Sequence, residues 1–256
     1  RSSDLKSDEN AIAIVGARKA SPYGKWVAYK LASDLAKQGI TIVSGMAYGI
    51  DTQAHKGALE HGGRTIAILG CGLDKAYPRS NTGLMQEIEK QGSVLSEYPV
   101  GTQPLPGNFP ARNRIISGLA KGLVVVEATS KSGSLITTEF ALEQGREVFA
   151  IPGNINSQLS DGTNQMIKEG AKLVSCVEDI LEELDIKTRD PREEPGLKLS
   201  AQESEIYQMI VQNQPAHIES LLKKSGLRID QIQSIVTVLQ LKDLVRKMPG
   251  NIIIPK

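Results

Sequence analysis

The chain has 256 residues, a formal net charge of +1, and 40% apolar and 23% charged residues. That composition excludes a disordered or fibrous polypeptide and fits a globular protein of one large or two unequal domains. The near-neutral balance gives no global electrostatic case for a nucleic-acid partner, so any such case must be local.

Cys71 and Cys176 are the chain's two cysteines. They are too few for a disulfide framework, and neither has the CxxC partner that metal or redox work would require, so no metal is expected. A reducing cytoplasm fits this usage. The opening Arg1-Ser2-Ser3-Asp4 lacks a signal-peptide pattern. No uncharged apolar run approaches the ~18–20 residues of a membrane span, so no membrane partner is expected. Because the chain starts at Arg1 rather than Met, the expectation is a fragment lacking an upstream domain.

In chain order, short apolar runs predict strands at Ala11 to Val15, Thr41 to Val43, Thr65 to Leu69, Val94 to Leu95, Leu123 to Val126, Val148 to Ile151 and Leu173 to Val174. Between them, helical spacing appears at Tyr23 to Gln38, Asp51 to His61, Asn113 to Ala120, Gly133 to Gln144 and Val177 to Leu184. Such alternation predicts a doubly wound, Rossmann-like α/β domain over residues 1–184, its parallel sheet covered on both faces. Ligands of such sheets bind beyond the carboxyl ends of the strands. Residues 185–199 lose hydrophobic periodicity around Asp190-Pro191-Arg192-Glu193-Glu194-Pro195-Gly196 and read as a linker. Residues 200–256 then offer a helix capped by Ser200, a second around His217 to Lys224, a third from about Asp230 to Val245, and a β-rich end after the turn Met248-Pro249-Gly250-Asn251. Three helices and a β element predict a small C-terminal winged-helix domain, whose third helix is the usual groove reader.

The strand ends carry the chemistry. Gly16-Ala17-Arg18 precedes a helix starting near Ser21-Pro22-Tyr23-Gly24, a combination suited to phosphate: close backbone approach, free amides and a guanidinium fork. It reads equally as a tight turn with a surface arginine, and it lacks the G-x-G-x-x-G spacing of a dinucleotide site, so no NAD is expected. Ser44-Gly45-Met46-Ala47-Tyr48-Gly49-Ile50-Asp51 repeats the pattern; Asp51 reads as a helix cap and His55 as a partner within its own helix. Tyr77-Pro78-Arg79-Ser80-Asn81 places Arg79 on the rim with Arg18, and Asn81 could cap the next helix. Cys71, flanked by glycines with no histidine nearby, reads as packing.

The densest cluster is Gly107-Asn108-Phe109-Pro110-Ala111-Arg112-Asn113-Arg114. An aromatic face for a base beside Arg112, Asn113 and Arg114 suits single-stranded nucleic acid, a stack being worth ~1–3 kcal/mol. On this reading Arg112 is an exposed charge whose loss leaves stability intact. The alternative has Phe109 plugging the core and Arg112 paired with Glu97 or Glu127. Lys131-Ser132-Gly133-Ser134 adds hydroxyls, a glycine and one cation before a further helix, and Ile151-Pro152-Gly153-Asn154 and Asp161-Gly162-Thr163-Asn164 read as further turns on the same rim or as plain connections.

Together with Ser132-Gly133-Ser134-Leu135-Ile136-Thr137 and Ile151-Pro152-Gly153, these motifs resemble the DprA (Smf) family of DNA-processing proteins across about residues 11 to 180. Pro215-Ala216-His217-Ile218 and Leu239-Gln240-Leu241 look like that family's winged helix. The resemblance implies a non-catalytic protein without cofactor. It would dimerise through its Rossmann-like domain, coat incoming single-stranded DNA and load a RecA-type recombinase in natural transformation. It implies that Arg18, Arg79, Phe109, Arg112 and Arg114 carry the strand, with Gly16, Gly45, Asn81, Ser132 and Gly133 shaping the pocket.

Two competing readings exist. A LOG or lysine-decarboxylase-like phosphoribohydrolase has the signature P-G-G-x-G-T-x-x-E; here Leu135 and Ile136 replace its second glycine and threonine and would obstruct a phosphate. A duplex-binding regulator would need a basic winged helix, but residues 200–256 hold seven Lys or Arg against five Asp or Glu. That surplus is thin for phosphate binding, so protein docking is at least as good a role, with Leu221, Leu222, Ile235 and Leu239 as core.

Overall fold

The structure, a computed structural model, describes residues 8–187, 199–213, 216–242, 244–248 and 252–255. The opening Arg1 to Asp4, the Asp190 to Gly196 stretch, Pro215, the turn Pro249-Gly250-Asn251 and Lys256 lie outside the described residues. The chain divides into two compact units, Arg1–Thr188 and Arg189–Lys256.

The first unit alternates β1 (Ala11–Val15), α1 (Pro22–Lys37), β2 (Thr41–Ser44), α2 (Ile50–Glu60), β3 (Thr65–Leu69), α3 (Thr82–Gln91) and β4 (Ser93–Ser96). It continues with α4 (Asn108–Gly118), β5 (Gly122–Val125), α5 (Gly133–Glu143), β6 (Glu147–Ala150), α6 (Asp161–Lys168), β7 (Lys172–Leu173) and α7 (Glu178–Glu183). The strands form one parallel sheet in the order β4-β3-β2-β1-β5-β6-β7. The winding reverses between β1 and β5, so the crevice where such folds receive ligands opens above those two strands.

The strand residues explain why the sheet is doubly covered. All of β1, β2 and β3 is buried. Because side chains alternate, Ile12, Ile14, Ile42 and Val124 enter one apolar layer with Ala28, Leu35 and Ala54. Ala13, Val15, Val43, Ile66 and Val125 enter the other, with Ile116, Ala141 and Met166. Helix α1 starts where expected: the Ser21 hydroxyl accepts from the Gly24 amide and Pro22 opens the first turn. Helices α1 and α2 approach so closely that a Cβ at Gly57 would lie 2.1 Å from the Tyr29 carbonyl oxygen.

Three boundaries differ from expectation. Helix α4 begins at Asn108 instead of Asn113, because Pro110 falls in its first turn, where a missing N–H costs nothing. Asp161-Gly162-Thr163-Asn164, read as a turn, opens α6. Asn81 does not cap α3 through its side chain, which is engaged elsewhere.

The second unit contains α8 (Ala201–Gln212), β8 (Ala216–His217), α9 (Ile218–Ser225), α10 (Ile229–Leu241), β9 (Val245–Met248) and β10 (Ile252–Pro255). Ser200 and Glu203 close a reciprocal capping box, and α9 stops at the left-handed Gly226. Val245, read as helix, starts a strand. It pairs antiparallel with β10, and β8 adds a third strand, completing the wing. Leu221 and Leu239 are buried in this unit's own core, with Leu222 and Ile235 packed against it.

Alanine normally favours a helix over glycine by about 1 kcal/mol. At Gly57 the sign should reverse: Gly57→Ala must push α2 off α1 and cost about 1–3 kcal/mol. Urea denaturation measures this, and a stabilised variant would mean that the helices do not approach this closely.

Candidate nucleic-acid interface

The amides at three strand ends already hold anions, and those anions belong to the protein. At the start of α1, the Ser21 amide donates to Glu127 Oε2 at 2.9 Å and its hydroxyl to Oε1. A Cβ at Gly24 would come within 2.3 Å of that carboxylate, and one at Gly16 within 2.9 Å of the Glu127 carbonyl oxygen and 2.8 Å of Ile50 Cγ1. Gly16 is therefore small because Ile50 and the Glu127 backbone fill the space that a Cβ would take. After β2, the Gly45 and Ala47 amides donate to Asp51 Oδ2 at 3.1 and 3.3 Å. Asp51 is thus not the cap of α2; Gly49 holds that position. Gly49 has φ +77°, and a Cβ there would meet the Ala17 carbonyl oxygen at 2.2 Å, so the first two strand-end loops back directly onto each other. After β4, the Gly101 amide donates to Asp74, which lies in the loop after β3, at 2.8 Å.

Beneath these loops lies Arg112, 4% exposed. Its Nη1 donates to the Gly45 carbonyl at 2.9 Å. A Cβ at Gly45 would lie 2.7 Å from both Arg112 Nη2 and Asp51 Oδ2, so the space beside Gly45 is filled by this buried pair. The exposed-charge reading of Arg112 is corrected, and its acidic neighbour is Asp51 rather than Glu97 or Glu127. Burial pushes the Asp51 carboxyl up against the opposing pull of Arg112. Burial also lowers the Arg112 guanidinium to about 10, so it stays charged at neutral pH.

His55 is fully buried behind this pair and bonds across to β3, not within its own helix: Nδ1 lies 2.7 Å from Thr65 Oγ1. Because that hydroxyl donates to the Ile42 carbonyl, it accepts from Nδ1–H, which fixes the tautomer and leaves Nε2 as a lone pair. Burial first, then Arg112, lowers its pKa to about 3. Asn81 is a buried latch, its amide donating to the Met46 carbonyl at 3.0 Å and to Thr52 Oγ1 at 2.9 Å. Cys71 packs as expected, burial holding its thiol above the ordinary range.

What faces solvent above this floor is aromatic and cationic. The Arg18 guanidinium carbon lies 5.4 Å from the Phe109 ring centroid, and the Tyr77 ring lies 5.1 Å from Phe109 with planes inclined by 32°. These residues line a shallow cleft with Gly45, Ala47, Tyr48 and Pro78. Its enclosed volume of about 20 Å³ admits little more than one water. A cofactor pocket needs roughly 300 Å³ or more, so any base would lie against this cleft rather than enter it. Arg79 is exposed in the short 3-10 turn just past the cis Tyr77–Pro78 bond, on the same loop. Tyr48 and Tyr77 were missed as site residues, although each is the aromatic of a strand-end loop already singled out.

Other expected members lie apart. Arg114 is exposed and ion-paired with Glu97, lining a different groove of about 500 Å³ between β4 and α4. Asn113 is half-buried within α4. Ser132 caps α5, its hydroxyl 3.3 Å from the Ser134 amide, beside exposed Lys131 and Gly133. Among the described residues, no bond joins these three to the Phe109 cleft. No group of three or more His, Cys, Asp or Glu among the described residues could hold a metal, and no helix is long and apolar enough to cross a membrane.

The family model for DNA recombination-mediator protein A matches residues 2–185, and that for the DprA winged helix domain matches residues 190–251. The chain belongs to the DprA/Smf family. It is 52% identical over 174 residues to DNA processing protein DprA of Streptococcus pneumoniae, covering 68% of this chain and 61% of that protein. It is 51% identical over 174 residues to protein Smf of Escherichia coli, covering 68% and 46%. Among solved structures, the S. pneumoniae DprA superposes with a TM-score of 0.66 at 50% identity, covering 70% of this chain and 63% of that one. The structure describing the single-stranded DNA binding mode of Helicobacter pylori DNA processing protein A also gives 0.66, at 35% identity, covering 72% and 84%. This DprA/Smf chain thus spans about half to three fifths of the length of these two curated relatives.

Two tests address the buried floor of this DprA/Smf site. Arg112→Met strands the Asp51 charge in the interior and should cost about 3–5 kcal/mol, whereas Arg112→Met with Asp51→Asn should cost less than the two single variants summed. Strict additivity in urea denaturation would disprove the coupling. For His55, the folded value lies below the unfolded 6.5, so the unfolded state binds the proton first as pH falls. Stability should therefore drop below pH 6.5 by about 1.4 kcal/mol per pH unit from this group, about 2 kcal/mol by pH 5. His55→Gln should flatten that slope.

Proposed function

We propose that this DprA/Smf chain is a non-catalytic single-stranded DNA-binding protein, with bases stacking on Phe109 and Tyr77 and phosphates tracking Arg18 and Arg79. The observation that carries this reading is the cation–ring arrangement of Arg18 over Phe109 beside Tyr77, the pairing of charge and π-face that a single strand needs. The three self-occupied strand ends support it from the other side, since a nucleotide cofactor would compete there with Glu127, Asp51 and Asp74. The relative from H. pylori with a described single-stranded DNA binding mode supports it by kinship. In this role Lys131, Ser132 and Gly133 extend the path, Asn113 and Arg114 flank it, and Gly16, Gly45, Asn81 and Arg112 hold its floor.

The wider role proposed with it is protection of incoming DNA and loading of a RecA-type recombinase during natural transformation, by a cytoplasmic homodimer joined through the Rossmann-like unit; kinship with DprA/Smf proteins supports its DNA-processing part. The winged helix fits a docking role better than duplex reading. Helix α10 contains no Lys or Arg, and its exposed residues include Asp230, Gln233, Ser234 and Thr237.

Arg18→Ala and Phe109→Ala should each weaken oligo-dT binding about 5- to 100-fold at low salt, the worth of one stacked base. Arg18 is exposed, so its removal should leave the melting temperature within about 1 °C. Filter binding with both variants at wild-type affinity would refute the site. Release of free base from a nucleoside monophosphate would favour the phosphoribohydrolase reading instead.

A further inference from the structure

We propose that the outer face of α1 is a second stacking station for the same strand, centred on Trp26; this rests on the single-stranded DNA reading above. Trp26 is the chain's one tryptophan, and it is 64% exposed, an unusual place for so large an apolar surface. Tyr23 lies one turn before it on the same helix face and is 48% exposed. Its ring is held in place, because the phenol donates to the Pro152 carbonyl at 3.2 Å across the sheet's carboxyl edge.

The charge around these rings is of one sign. From residue 18 to residue 33 the chain carries Arg18, Lys19, Lys25 and Lys30 and not one Asp or Glu. Arg18, Lys19, Lys25 and Lys30 are all exposed. The acids that reach this helix lie elsewhere: Glu127 is buried under its first turn, Asp34 pairs with Lys30 one turn beyond, and Glu60 meets Tyr29 on the α2 side. In a chain of net charge +1, that is a local cationic strip interleaved with aromatics, the combination that recognises single strands through phosphates and base faces.

The strip is continuous with the Phe109 cleft. Arg18 is the residue stacked on Phe109, and only Lys19 to Pro22 separate it from Tyr23. Five residues span at most about 18 Å when extended, and Trp26 lies about 4.5 Å farther along the helix. At about 3.4 Å per nucleotide, a strand leaving the cleft reaches Trp26 within about seven nucleotides.

Because Trp26 is the sole tryptophan, its emission reports on the station directly. Titration of the full chain with dT12 at low salt should quench that emission, while dT3, held at the cleft, should not. Trp26→Ala should weaken dT12 binding, read by anisotropy of labelled oligonucleotide, about 5- to 100-fold. Trp26→Phe should recover much of it, and dT3 affinity should be unchanged in both. If dT12 leaves the emission and the Trp26→Ala affinity unchanged while Arg18→Ala still weakens binding, the second station is wrong and the cleft stands. If no oligonucleotide binds, both fall. A blue shift that grows with protein concentration in the absence of DNA would make Trp26 a contact between copies and would also overturn the proposal.

Discussion

The buried guanidinium of Arg112 is the constraint around which the ligand-facing end of the sheet is arranged. It reaches from α4 under the loop after β2, donates to the Gly45 carbonyl and neighbours the Asp51 carboxylate that binds the amides of that same loop. One charged pair thereby fixes three segments, α4, the Gly45 loop and the start of α2. The cleft residues Ala47, Tyr48 and Phe109 all ride on those segments. An isolated charge so deeply buried would cost several kcal/mol. Here each partner offsets part of the other's burial, and His55 is kept neutral beside them by its own burial and by Arg112, while the Thr65 hydroxyl dictates its tautomer.

Much of this molecule is written in local patterns. The strands were legible because parallel strands buried on both faces must be apolar throughout, and Ile12, Ile42 and Ile66 satisfy that rule without help from distant residues. Start signals such as Ser21-Pro22 and Ser200 were legible for a similar reason, since caps act over three or four residues. Where local signals compete, reading failed: Pro110 looks like a breaker and is instead a first-turn residue of α4, and Val245 continues an apolar helical period yet pairs with β10.

The site was legible as a set of loops but not as a set of roles. Arg112 and Arg114 are two residues apart, and helical geometry turns them to different sides, one into the core and one toward Glu97. No motif could reveal that Gly16 and Gly45 are small for the sake of Glu127 and Arg112, because both contacts span long stretches of sequence. Aromatics were undercounted for a simpler reason. Tyr48, Tyr77 and Trp26 look like ordinary packing residues until their exposure is known.

The carboxylates lodged in the strand-end amides bear on selectivity in a crowded solution of small nucleotides. A free nucleotide arriving at this rim finds its best phosphate seats filled by tethered competitors at very high effective concentration, Glu127 and Asp51, which never diffuse away. What is left is a series of individually weak surface contacts. On the proposed single-strand role, a monomeric ligand would gain little from any one of them, whereas a polymer would gain from all of them together, because each engaged unit delivers the next at raised local concentration. A self-filled seat of this kind would, in that role, make a Rossmann-like scaffold respond to chain length.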